Sequence, residues 1–320
     1  MLCLAFGLAL HGCASRPAAA DSGLQESGTD TSGVLPDSGP MRFDGGAEDG
    51  GTPDGGDAGP ATRDAGPSCK RGLAYGGASP ADQRAVVPGI GWWYNWSPIP
   101  DAAVQATYVA RGLEFVPMQW GGTVNLAQLE SEIPAGAKYL LGFNEPNFVA
   151  QSNLTPQQAA ALWPQLEQVA SSRGLKLVSP AVNFCGPASA CINQDTSPFD
   201  WLDAFLAACS GCRVDYIAAH IYLQNGTGLQ NVLAEYEAKY PQPIWLTEFA
   251  NLGSTVTAAE ELSLMQQALP ILESDPRVFR YSWFTGRSDS QPSLDLLAPD
   301  AGVLTPLGQA YMSAPGACSP

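Results

Sequence analysis

The sequence has no basic cluster. Lysine and arginine total 15 against 31 aspartates and glutamates, a net charge of −16. Such a chain repels phosphate backbones and anionic surfaces, which excludes nucleic acid as an expected partner. Histidine is scarce as well: only His11 and His220 are present. Without histidines to complete a tetrahedral set, the Cys209-x-x-Cys212 pair is a poor zinc site, so neither metal nor cofactor is expected. A glycine-rich turn is also lacking after the first long strand-like run. That junction reads Trp92-Trp93-Tyr94-Asn95-Trp96-Ser97-Pro98, aromatic bulk where dinucleotide phosphates need bare backbone, and an open nucleotide-binding sheet is excluded.

The apolar run at residues 1–10 is too short to cross a bilayer but suits the core of an export signal. Leu10-His11-Gly12-Cys13 resembles a bacterial lipoprotein cleavage box. A signal over 1–13 with lipidated Cys13 is therefore expected, giving a secreted or cell-surface lipoprotein with a membrane tether; an ordinary cleaved signal is the alternative. Residues 14–68 are almost devoid of large hydrophobes and repeat Asp-Gly-Gly at Asp44, Asp49 and Asp54. They bury too little to offset the entropy of ordering, so a disordered linker is expected. Residues 1–68 carry ten acidic and three basic groups, a net −7.

Residues 69–320 hold all eight tryptophans and have the usual size of one (β/α)₈ barrel. Six cysteines fall here, and an even number in an exported domain favours three disulfides. Cys185 and Cys191 bracket a short loop, Cys209 and Cys212 flank Ser-Gly, and Cys69 and Cys318 sit at the two ends. The pairing itself stays open.

From Pro88 onward, continuously apolar runs alternate with helix-compatible segments. Runs at 90–94, 113–118, 139–143, 175–180, 214–221, 244–247 and 278–284 read as parallel strands covered on both faces. Segments 101–111, 156–173, 200–208, 229–239 and 258–273 read as helices, with caps around Thr155-Pro156 and at Asp200. This alternation implies right-handed βαβ units, hence an α/β fold and a (β/α)₈ TIM barrel as a single catalytic domain; a monomer is expected. Seven strands are counted, and the eighth is expected within 96–138.

The active face of such a barrel lies at the C-terminal strand ends. There the sequence places Tyr94, Asn95, Trp96, Trp120, Asn144, Glu145, Asn183, His220, Tyr222, Glu248 and Trp283. Flat sugar faces pack on aromatics and hydroxyls need fixed polar partners, so this lining suits a glycan. Glu145 and Glu248 each end an apolar run, the first in Leu140-Leu141-Gly142-Phe143-Asn144-Glu145-Pro146-Asn147 and the second in Pro243-Ile244-Trp245-Leu246-Thr247-Glu248-Phe249. Two carboxylates are what cleavage of a glycosidic bond requires. Trp163 and Trp201 lie on helical segments and are assigned to the core.

Tyr94-Asn95-Trp96, Val116-Pro117-Met118-x-Trp120, the Asn144-Glu145-Pro146-Asn147 run, Ser179-Pro180-Ala181, His220-x-Tyr222 and Trp245-Leu246-Thr247-Glu248-Phe249 together resemble glycoside hydrolase family 128, over residues 89–311. The resemblance implies a retaining endo-β-1,3-glucanase acting on β-glucan polysaccharide or oligosaccharide. It makes Glu145 the acid/base at the end of the fourth strand, Glu248 the nucleophile at the end of the seventh, and Asn144 a contact to the sugar 2-hydroxyl. Glu145 is then expected protonated at the outset, with its surroundings raising its pKa, and Glu248 ionised. Action on another β-linkage and a non-catalytic glucan-binding role are the alternatives.

Overall fold

The computed structural model describes residues 70–253 and 255–316. The leader at 1–13 with Cys13, the linker at 14–68, Cys69 and Cys318 lie outside the described residues.

Among the described residues there are eight strands: β1 (Arg71–Ala74), β2 (Trp92–Tyr94), β3 (Glu114–Phe115), β4 (Tyr139–Leu141), β5 (Lys176–Val178), β6 (Ile217–Tyr222), β7 (Ile244–Ala250) and β8 (Val278–Phe284). Their neighbours run β3-β2-β1-β8-β7-β6 in one sheet and β4-β5 in another. Parallel bridges close both seams: Met118 to Leu141 between β3 and β4, and Val178 to Tyr216 and Val182 to Ala219 between β5 and β6. Pro117 and Pro180 stand at these seams and offer no N–H, which shortens the ladders there. The ring is a closed (β/α)₈ barrel.

The eighth strand is β1, not a segment within 96–138. Its sequence, Arg-Gly-Leu-Ala, hides the strand because it opens on a charge. Arg71 is nevertheless fully buried, with its guanidinium bonded to the Tyr281 hydroxyl at 2.9 Å, Glu273 at 2.9 Å and the Tyr311 carbonyl at 2.8 Å. Gly72 is glycine for space: a Cβ there would sit 2.2 Å from the Trp92 indole.

The helices are α1 (Pro80–Val86), α2 (Leu126–Glu132), α3 (Pro156–Arg173), α4 (Pro198–Ala208), α5 (Gly226–Lys239), α6 (Ala258–Ser274) and α7 (Pro306–Ser313). Thr155 caps α3 in a reciprocal pair with Gln158, and Pro156 opens its first turn. Ser197, rather than Asp200, caps α4. The expected helix at 101–111 is instead a run of turns ending in a 3₁₀ turn, Val109–Arg111. The β-branched Val104, Thr107 and Val109 weaken helix there, and mixed bonds form: Thr107 N–H to Val104 O and Gln105 N–H to Asp101 O.

One apolar cluster lies between strands and helices and includes Trp163 and Trp201, both in the core as expected. A second fills the barrel interior with Trp92, Tyr94, Val116, Met118, Leu141 and Trp245. Near the strand starts the Arg280 guanidinium lies over Tyr139 at 4.8 Å and Trp245 at 5.1 Å and pairs with Glu114 at 2.7 Å. The interior is thus packed below, leaving the opposite end for chemistry.

Candidate active site

Glu145 leaves β4 through a sharp turn. Its N–H donates to Ala181 O at 2.8 Å and its carbonyl accepts from Phe148 N–H at 3.0 Å. The turn holds Glu145 at φ 39°, the left-handed region, which costs a non-glycine residue about 1–3 kcal/mol. Trp96, across the site, is also left-handed, at φ 58°. Glu248 lies inside β7, paired with His220 on β6 just past a register shift between Ala219 and His220. Such irregularities re-aim side chains at barrel rims.

The two carboxylates are bridged by one imidazole. His220 Nδ1 lies 2.9 Å from Glu145 Oε1 and 3.4 Å from Glu248 Oε2, and one ligand atom from each of the three residues lies within 4.8 Å of the others. Glu248 accepts from three further donors: the Tyr94 hydroxyl at 2.7 Å and Trp96 Nε1 at 2.8 Å on Oε1, and the Tyr222 hydroxyl on Oε2. Glu145 accepts from Asn183 Nδ2 at 3.3 Å. Protons therefore occupy the lone pairs of Glu248 where a cation would otherwise bind.

Burial pushes the Glu248 carboxyl above its ordinary range; the His220 charge and the Tyr222 and Tyr94 hydroxyls pull it back, while Glu145 adds to the rise. Burial works against charge on His220, but Glu248 and then Glu145 hold its pKa above 6.5 all the same. Desolvation, then Glu248, keeps Tyr94 and Tyr222 neutral donors. The stronger burial falls on Glu248, at 4 % exposure against 9 % for Glu145.

Asn144 is buried, with its Nδ2 donating to Gln151 Oε1 at 3.3 Å and its Oδ1 left without a partner. Trp120 is half-buried against the barrel interior and accepts the Asn144 N–H. His220 and Tyr222 both turn toward Glu248, as their shared strand parity predicts. Two other expected sugar contacts are not brought to the pair. Trp283 is fully buried, bonded to Leu294 O and packed edge-on against Phe249 at 5.0 Å, so it is core. The Asn95 amide donates to Ile99 O and Asp101, each at 3.1 Å, and ties down its own loop.

Cys185–Cys191 and Cys209–Cys212 are disulfides, which removes the zinc alternative at Cys209. Sequence reasoning missed Gln151 and Asn147. The Asn147 amide, 1 % exposed, donates to Asn183 O at 2.7 Å; its place after Glu145-Pro146 was the available signal.

A parallel barrel with paired carboxylates at its C-terminal face is the framework of a glycoside hydrolase. The glycosyl hydrolase catalytic core family matches residues 72–311. Among solved structures, a subgroup II endo-β-1,3-glucanase of family 128 from Sorangium cellulosum is 49% identical, covering 77% of this chain and 99% of that one with a TM-score of 0.72. Its counterpart from Pseudomonas viridiflava is 40% identical, covering 78% and 99%, with a TM-score of 0.70. Alkali-sensitive linkage protein 1 of Schizosaccharomyces pombe is 31% identical over 261 residues, 77% of this chain. The chain spans 45% of the length of that curated relative. It belongs to the glycosyl hydrolase catalytic core family and, within it, to glycoside hydrolase family 128.

Proposed function

We propose that this chain hydrolyses β-1,3-glucan internally and with retention, Glu248 acting as nucleophile and Glu145 as acid/base. The observation that carries the roles is the asymmetry of donors: three O–H or N–H groups converge on Glu248 and stabilise its anion, whereas Glu145 has one amide and a shared imidazole. The spacing supports retention, since oxygens of the two carboxylates lie within 4.8 Å, compatible with the about 5–5.5 Å between carboxyl groups of a retaining pair and short of the roughly 6.5–9.5 Å of an inverting one.

Glu145, protonated, gives its proton to the leaving glycosidic oxygen as Glu248 attacks the anomeric carbon. Glu145, now the base, then takes a proton from water as the water oxygen bonds to the anomeric carbon and the bond to Glu248 breaks, freeing its carboxylate. Asn144 takes the sugar 2-hydroxyl, a reading supported by its buried Oδ1, which has no protein partner. Trp96 and Trp120, both half-exposed, supply faces for sugar rings. Export is supported by the two disulfides, which persist in oxidising compartments, with Cys13 as the lipid anchor; Cys13→Ala should release the protein from membranes.

The deciding experiment incubates the protein with laminarin-type, mixed-linkage and β-1,4 glucans and reads products and their first-formed anomer. Cleavage of β-1,3 bonds to a series of β-anomeric oligosaccharides is expected. Cutting of the β-1,4 polymer alone, or an α-anomer first, would overturn the substrate or the mechanism respectively. Glu248→Gln should abolish turnover while still binding oligosaccharide; a mutant as active as the parent removes the nucleophile assignment.

A further inference from the structure

Past the end of β4, the backbone of Asn144 is held on three sides. Its N–H donates to Trp120 O at 2.9 Å, its carbonyl accepts from Ser152 N–H at 3.3 Å, and it pairs with Ala181 in a parallel bridge. These bonds leave the side-chain amide undecided, because its donor and acceptor ends exchange by a half-turn about one torsion. The Nδ2 end donates to Gln151 Oε1 at 3.3 Å, and Oδ1 has no partner. Among the described residues Gln151 is thus the group that chooses between the two orientations.

Gln151 is placed by the turn that follows Glu145. Phe148 N–H donates to Glu145 O at 3.0 Å, Gln151 N–H to Phe148 O at 3.2 Å and Leu154 N–H to Pro146 O at 3.0 Å. The chain folds back on the end of β4, and the half-buried Gln151 presents an acceptor to a residue seven positions earlier. With that acceptor at Nδ2, a half-turn of the Asn144 amide would bring Oδ1 against Oε1 with no proton between them, so one orientation is favoured. Orientation matters to the reaction. Positive charge grows at the anomeric carbon in the transition state and makes the neighbouring 2-hydroxyl a stronger donor, so an acceptor facing it gains as the bond breaks and a donor does not.

We propose that Gln151 is a positioning residue for the cleavage: its Oε1 holds the Asn144 amide with Oδ1 free to accept from the sugar 2-hydroxyl. This rests on the β-glucan reading above and on the place of Asn144 within it, and adds to that reading a side chain that works through another. Because the bond it secures tightens in the transition state, Gln151 acts on kcat rather than on KM.

The test measures kcat and KM of the parent, Gln151→Met and Gln151→Glu on 4-nitrophenyl β-laminaritrioside and on its analogue deoxygenated at C2 of the ring bearing the nitrophenyl group, with thermal unfolding of each protein. Gln151→Met removes the acceptor at nearly the same volume. It should lower kcat on the trioside about ten-fold with KM unchanged, and leave kcat on the 2-deoxy analogue at the parent's value. Gln151→Glu keeps an acceptor and should stay close to the parent on both substrates. Added to Asn144→Ala, Gln151→Met should cost nothing more. Equal losses on the two substrates, which a merely structural role would give, or a Gln151→Met variant as fast as the parent on both, would overturn the proposal. A parent that cleaves neither laminarin nor the trioside would instead overturn the glucan reading, so the parent alone tells the two failures apart.

Discussion

The Tyr94 hydroxyl on β2 donates to Glu248 Oε1 on β7 at 2.7 Å, spanning the barrel interior. Tyr94 also reaches Thr247 O at 3.2 Å, so the phenol is fixed by two acceptors of the strand it serves. Because its bond pulls the Glu248 carboxyl down against burial, Tyr94→Phe raises that pKa. The acidic limb of kcat/KM should move to higher pH, since Glu248 must be ionised to attack. A hydrogen bond to a charged group is worth about 1.5–3 kcal/mol, so kcat should fall about 10- to 100-fold. A pH–rate profile of the mutant checks both effects.

His220 separates two carboxylates that would otherwise repel. Its charge is the chief influence drawing Glu248 down, so His220→Ala should also carry the acidic limb upward. Glu145 loses a 2.9 Å partner in the same change, and misplacement of the acid costs on the order of 10²-fold in kcat. His220→Asn, which keeps a donor but no charge, should restore some rate while leaving the limb displaced.

Glu145 and Glu248 were legible because each interrupts an apolar run abruptly, and a buried carboxylate at a strand end demands a use. Tyr222 and His220 followed from strand parity. β1 was not legible: Arg71 is buried by Glu273, Tyr281 and backbone carbonyls some 200 residues away in sequence, which no local pattern reveals. Trp283 was misplaced for a related reason. The β7–β8 register shifts between Leu246 and Phe249, and the indole turns onto Phe249 and Tyr311, outside the barrel. The dryness of Glu248 followed from its apolar neighbours on β7, but the aromatic donors that wrap it come from β2, the turn after it and β6 and could not be assembled from either motif alone.

The Cys185–Cys191 bridge closes a loop that begins just after Asn183. Phe148 bridges Cys191, and Ile192 N–H donates to Asn147 O at 2.8 Å, so the same loop braces the turn after Glu145. Replacing both cysteines by serine should cost about 2 kcal/mol from loop entropy and also lower kcat severalfold, through Asn183 and Glu145. The pair Cys209–Cys212, at the end of α4, touches none of these groups. Its double serine variant should lower the Tm with kcat unchanged, and thermal melts with initial rates on both variants separate the two roles.

Glu261 supplies the last expectation, a dependence of stability on pH. Burial lifts its carboxyl from 4.5 to about 7, although the Asn251 N–H and Gln291 amide draw it down. The folded protein therefore keeps a proton that the unfolded chain has released between these values. Folding binds the extra proton, so stability is greatest below about pH 4.5, falls as pH rises toward 7, and levels off above it. After allowance for solvent near the loop, the swing is of order 1–2 kcal/mol. Glu261→Gln has no proton to lose, so its urea midpoint should stay flat over this range where the parent's declines.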